Sequence, residues 1–170
     1  MHGPTKWVSA AAIAAAALFA GAGSVSAQGA GGGGGAAAQQ PPDPPVVAYR
    51  KAMMQSNGPH LAAIRALLAP GGLADWEDVE MHTEALANNG TMWAGMWPAG
   101  STAPTSRAME EIWSKPDEFA ARVKAFADAT QALKAAADKE DSAATLAAAQ
   151  GVQRTCGACH TPFRKPPPPR

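Results

Sequence analysis

The chain has 170 residues, with 14 Lys and Arg against 14 Asp and Glu, so its formal net charge is zero. No basic stretch is interleaved with aromatic residues, which argues against nucleic-acid binding. Once the Gly- and Pro-rich segments are set aside, about 120 residues remain, enough for one domain with a core and too few for two.

The first 27 residues read as a leader. Lys6 makes the start weakly basic, an Ala-rich apolar run extends from Trp7 to Ala20, and small residues end at Val25-Ser26-Ala27. This is the pattern of a cleaved secretory signal peptide over 1–27. The run is too short and too Ala-rich for a good membrane span, which needs about 20 strongly apolar residues. No Cys immediately follows Ala27 to take a lipid, so export without stable membrane insertion is expected. Residues 28–45 (QGAGGGGGAAAQQPPDPP) form a flexible linker that stiffens at its Pro-rich end. The folded domain is expected over 46–165, with a Pro-rich tail over 166–170.

Within that domain helical spacing dominates, and no period-2 alternation marks a strand. Helix one is expected over about 45–68, where Val47, Met54, Leu61 and Leu68 fall seven apart and Arg50, Asn57 and Ile64 lie three beyond the first three. Pro70-Gly71-Gly72 ends it. Helix two is expected over about 76–88, capped by Asp75 with Asp78 three residues later, and stopped by Asn88-Asn89-Gly90. A long connection rich in aromatic and turn residues follows. Ser114 is expected to cap helix three, with Pro116 in its first turn and a stripe of Phe119, Val123, Phe126, Thr130 and Leu133. Asp141 caps helix four, whose stripe runs Leu146, Ala149, Gln153, Cys156, His160, Phe163. Four helices of this length imply an all-α, antiparallel up-down-up-down four-helix bundle.

The only two cysteines stand in Cys156-Gly157-Ala158-Cys159-His160, a C-x-x-C-H sequence. That is the attachment motif of c-type haem. On a helix, residues 156, 159 and 160 share one face, so both thiols and the imidazole address one porphyrin. Gly157 and Ala158 are small, as a helix lying close to a ring requires. A thioredoxin-like pair would want a βαβ context, and a structural zinc site would want four ligands. One haem c, covalent through Cys156 and Cys159 with His160 as axial ligand, is therefore expected on the last helix.

The stretch from Glu111-Ile-Trp-Ser through Phe119, Phe126 and Ala135-Ala-Ala-Asp to Cys156–Arg164 resembles the class II c-type cytochromes, the cytochrome c-prime group. The likeness extends back through Trp97-Pro98-Ala99-Gly100-Ser101 to Tyr49–Met54 and covers 45–165. The resemblance implies haem between helices one, three and four, a bacterial periplasmic location, and a monomer or a homodimer paired through the first two helices. It implies that Arg50 meets a haem propionate, the alternative being an Arg that snorkels to solvent. It also sets Met54 facing the iron, with Arg164 on the side of His160. In low-spin members such a Met is the sixth ligand. In five-coordinate members the position is usually Leu or Phe and the iron is open to small gases.

Two functions follow from the resemblance. One is electron transfer with periplasmic redox partner proteins, through iron bound by His160 and Met54. The alternative is a five-coordinate iron that binds nitric oxide or carbon monoxide. An enzyme such as a peroxidase would need a distal acid–base group, which Arg50, Met54 and Asn57 do not supply. Trp93, Trp97, Phe119, Phe126 and Phe163 are candidates for the pocket wall or for ordinary core. Of the remaining histidines, His60 is expected to be solvated and His82 to be partly buried and hydrogen-bonded.

Overall fold

A computed structural model describes residues 41–167. The expected leader, the linker as far as residue 40 and the last three residues of the tail lie outside the described residues. Five α-helices follow in order: α1 (Pro45–Leu67), α2 (Trp76–Met92), the short α3 (Glu111–Ser114), α4 (Pro116–Ala137) and α5 (Ser142–Phe163). Successive long helices pack on one another and α5 returns to α1, closing an antiparallel four-helix bundle.

Local chemistry sets most of the helix starts. Pro45 opens α1 at a position whose N–H would have no helical partner, and the Pro44 carbonyl accepts from the Val47 and Ala48 amides at 2.8 and 3.0 Å. Asp75 caps α2 through the Asp78 amide at 3.3 Å, and Asp141 caps α5 through the Ala144 amide at 2.9 Å. The α1 helix runs unbroken through Pro59.

Two boundaries differ from expectation. The α2 helix does not stop at Asn88-Asn89-Gly90 but continues to Met92 and into a 3-10 turn over Trp93–Gly95. Asn89 is buried, and its amide donates to Asn57 Oδ1 at 2.8 Å and Ser56 Oγ at 3.0 Å. Gly90 presses against α4, where a Cβ would lie 2.4 Å from Thr130 Oγ1 and 3.1 Å from Ala127 Cα. Tertiary packing therefore overrides two residue types that otherwise favour a stop. Ser114 does not cap α4. The residue before Pro116 is forced out of the helical region, so Lys115 (φ −127°, ψ 59°) is the entry residue, while Ser114 ends α3 and its hydroxyl bonds the Glu110 carbonyl at 3.3 Å.

The main core is Leu61 and Ile64 of α1, Val79 and Leu86 of α2, Leu133 of α4 and Val152 of α5, with their neighbours. Fully burying one such side chain is worth about 1.5–3 kcal/mol. A second cluster of Ile112, Phe119 and Phe163 ties α3 to α4 and α5. Gln153, expected on the inner stripe of the last helix, is exposed instead and pairs with Arg65 across to α1. No helix among the described residues is long and apolar enough to cross a membrane.

Candidate functional site

The C-x-x-C-H residues lie on an uninterrupted stretch of α5, which carries on through Pro162 to Phe163. Cys156 and Cys159 are both half-buried free thiols. Burial pushes each thiol up from its ordinary value, so both are protonated at neutral pH. His160 is also half-buried. Burial first, then the charges of Arg164 and Arg107, hold it below the usual histidine value. Its ring is thus neutral around pH 7 and keeps a lone pair for a metal.

These three residues open into a cavity of about 320 Å³ between α1, α4, α5 and the irregular segment before α3. The size falls in the range of about 300–1,000 Å³ typical of ligand and cofactor pockets. From α1 the cavity is lined by Val47, Arg50, Met54 and Asn57. Met54 is 36% exposed, whereas the neighbouring Met53 packs against the core. Adjacent helical residues point about 100° apart, so the backbone fixes which of the two faces the cavity.

Arg50 is only 4% exposed. One terminal nitrogen donates to the Met96 carbonyl at 3.1 Å and to Ser101 Oγ at 2.7 Å, and the other donates to the Ser101 carbonyl. Its guanidinium stacks on Trp97, 4.4 Å from the ring centroid. The acceptors are brought there by a turn in which Gly100 takes φ +67°, a conformation glycine adopts without strain. Arg50 therefore does not snorkel to solvent. Nothing in the sequence pattern pointed to Met96 and Ser101 as its partners, because the segment that carries them has no period to read.

All five expected wall residues line the cavity: Trp93, Trp97, Phe119, Phe126 and Phe163. They are core and wall at once, since Trp93, Phe119, Phe126 and Phe163 are also buried against their neighbours. Trp93 stacks on Trp97 at 5.6 Å between centroids, Trp97 meets Phe119 edge-on at 4.9 Å, and Phe119 meets Phe163 at 5.1 Å. His60 departs from its expected solvated state. It is half-buried, and its Nδ1 lies 2.9 Å from Nδ1 of His82, away from the cavity.

Charge gives an independent test of what the cavity suits. Arg50, Lys51, Arg107, Arg122 and Arg164 line it, and no Asp or Glu does. Buried Trp97 Nε1 has no hydrogen-bond partner among the described residues. An apolar slot ringed by cations, with an idle buried donor, fits a flat apolar molecule that carries carboxylates, as haem does. Of the five cations, Lys51, Arg107 and Arg122 were not legible as site residues in the sequence.

Known proteins bear the same reading. A family model described as Cytochrome C' matches residues 45–164. Cytochrome c' of Pararhodospirillum photometricum is 33% identical over 120 residues, covering 70% of this chain and 95% of that one. Cytochrome c-556 of Agrobacterium tumefaciens is 31% identical over 119 residues, covering 69% and 95%. Among solved structures, the nitric oxide complex of a Leu-to-Ala mutant of cytochrome c prime from Alcaligenes xylosoxidans superposes with a TM-score of 0.66, at 26% identity, over 72% of this chain and 94% of that one. The chain belongs to the cytochrome c' family of class II c-type cytochromes and binds one covalent haem c.

Proposed function

We propose that this protein is a periplasmic electron carrier, not an enzyme, in which Cys156 and Cys159 hold the haem by thioether bonds and His160 and Met54 are the axial ligands. The observation that carries this reading is that Met54 opens from α1 into the same cavity as His160 of α5, while Met53 turns into the core. When bound, the haem supplies an iron that exchanges one electron between its ferrous and ferric states. The chain's own residues do the rest. His160 offers a neutral ring, and Met54 offers an uncharged thioether, a ligand that raises the potential. The Trp93–Trp97–Phe119–Phe163 wall keeps water off the ring. Arg50 is the guanidinium positioned to pair with a propionate. His160 Nδ1 lies 3.2 Å from an Arg164 nitrogen that can only donate, so Nδ1 is an acceptor there. Ligation through Nε2 needs the other tautomer and therefore releases that contact.

A second reading, capture of a small gas at an open iron, is supported by the exposure of Met54 and by the nitric oxide and carbon monoxide complexes of Leu-substituted variants of the Alcaligenes xylosoxidans relative. The optical spectrum of the purified holoprotein separates the two. Ligation by Met54 gives a low-spin spectrum with a long-wavelength sulfur-to-iron band, and Met54→Ala converts it to a high-spin form that responds to carbon monoxide. A wild-type spectrum that is already high-spin and unchanged in Met54→Ala overturns the electron-transfer ligation and leaves gas binding as the function.

A further inference from the structure

The most unusual pair of side chains outside the haem cavity is His60 of α1 and His82 of α2. Their Nδ1 atoms are 2.9 Å apart and their ring centroids 5.1 Å apart, with the ring planes inclined at 59°. Neither residue contributes to the cavity. Both are half-buried, so one side of the pair is fixed by the helices and the other reaches solvent. In the metal-free protein one neutral ring donates its Nδ1 proton to the other, which leaves the two rings locked with their Nδ1 atoms converging.

That separation, an ordinary N–H···N distance, also matches the span between two adjacent ligands of one metal ion. Two imidazole nitrogens bound to one ion at about 2.0–2.1 Å and subtending a right angle stand about 2.9 Å apart. A tetrahedral angle would set them about 3.4 Å apart. The observed spacing suits adjacent corners of a tetragonal ion, the geometry preferred by Cu(II) and Ni(II) with nitrogen ligands. Cu(II) has the highest affinity of the divalent first-row series for such a site. Burial, then the nearby His82, hold His60 below its usual value, so it competes little for protons at neutral pH. Among the described residues no group of three or more His, Cys, Asp or Glu side chains forms a metal cluster, so water completes the shell from the exposed side.

We propose that His60 and His82 form an interhelical two-histidine site for a divalent late transition metal, with Cu(II) as its best occupant, that clamps α1 to α2. The ion takes the place of the shared proton between the two Nδ1 atoms, and the donating ring moves its proton to Nε2 through solvent, so both rings bind as neutral imidazoles. Calorimetric titration of the haem-loaded protein with Cu(II) at pH 7.5, in a non-coordinating buffer, tests this. One equivalent is expected to bind, and His60→Ala and His82→Ala are each expected to lower the affinity by tenfold or more with an unchanged haem spectrum. Cu(II) is also expected to raise the thermal midpoint of the wild-type protein and not that of either variant.

Wild-type stoichiometry and affinity in both variants would overturn the site. A direct readout that needs no variant is the electron paramagnetic resonance difference spectrum of the ferric holoprotein with and without one equivalent of Cu(II), since ferric haem cannot reduce the added ion. Two-nitrogen ligation supports the site. A signal with no nitrogen coupling, or with one nitrogen only, sinks it.

Discussion

The two seams of this bundle solve opposite problems. Between α2 and α4 the helices close completely: Gly90 brings α2 against Thr130 and Ala127, and Thr83, Thr130, Leu86 and Leu133 are wholly buried. Thr83 and Thr130 turn their hydroxyls back onto carbonyls of their own helices, at 3.0 and 2.8 Å, so the close approach leaves neither unsatisfied. Between α1 and α5 the helices meet at the Arg65–Gln153 end and part around the cavity at the other. There the side chains are Arg50, Met54, Cys156, Cys159 and His160, and they border a cavity instead of filling it. The same helical framework thus yields a dry seam where a residue without a side chain stands, and a cavity where Arg50 and Met54 of one helix face the C-x-x-C-H run of the other. Stability is concentrated on one side, chemistry on the other.

The largest expected effect comes from removing the covalent hold on the open seam. With Cys156→Ala and Cys159→Ala together, haem is lost completely from the denatured chain, as read by haem staining on a denaturing gel. Retention of stainable haem would show that the attachment lies elsewhere. The next effect belongs to the closed seam. Gly90→Ala puts a Cβ 2.4 Å from Thr130 Oγ1 and 3.1 Å from a backbone atom of α4. Overpacking of this kind costs about 1–3 kcal/mol. Because Ala127 Cα belongs to the backbone, Thr130→Ala in the same chain, which removes the clashing hydroxyl, restores only part of it. The denaturant midpoint of the holoprotein measures the loss, and the haem spectrum is expected to stay as it is. If the spectrum moved while stability did not, the division of labour between the seams would be wrong.

How far the sequence revealed these seams depends on which physical signal each uses. The apolar stripes of the long helices carried the bundle, because burial at three- and four-residue spacing is a one-dimensional pattern. The C-x-x-C-H run shares one face of α5 by its spacing, whereas Arg50 and Met54 were singled out through the family resemblance; all of them line the cavity. Asn89 and Gly90 misled, since both types favour a helix stop in isolation and only the partners in α1 and α4 make them helical. Ser114 misled because its capping pattern was sound but the geometry before Pro116 dominated. The partners of Arg50, the cationic ring completed by Lys51, Arg107 and Arg122, and the His60–His82 pair were out of reach. Each joins segments 22 or more residues apart, or lies in the connection without a repeat.

The smallest of these effects bears on how the open seam stays open. Arg50 is buried and held by the Met96 carbonyl and by Ser101, with Trp97 beneath it. Arg50→Met keeps length and apolar bulk but removes the donors. Each hydrogen bond to a charged group is worth about 1.5–3 kcal/mol, and water entering the cavity mouth, with relief from burying a cation, offsets most of the sum. A loss of about 1–2 kcal/mol in the holoprotein is therefore expected from the denaturant midpoint. Ser101→Ala removes one acceptor and is expected to cost less. If Arg50 served only the segment around Ser101, Arg50→Met would add nothing once Ser101 was Ala, and the reduction potential would not move. A guanidinium beside a haem carboxylate predicts otherwise: its removal leaves the propionate charge uncompensated, which favours ferric iron and lowers the potential, with or without Ser101.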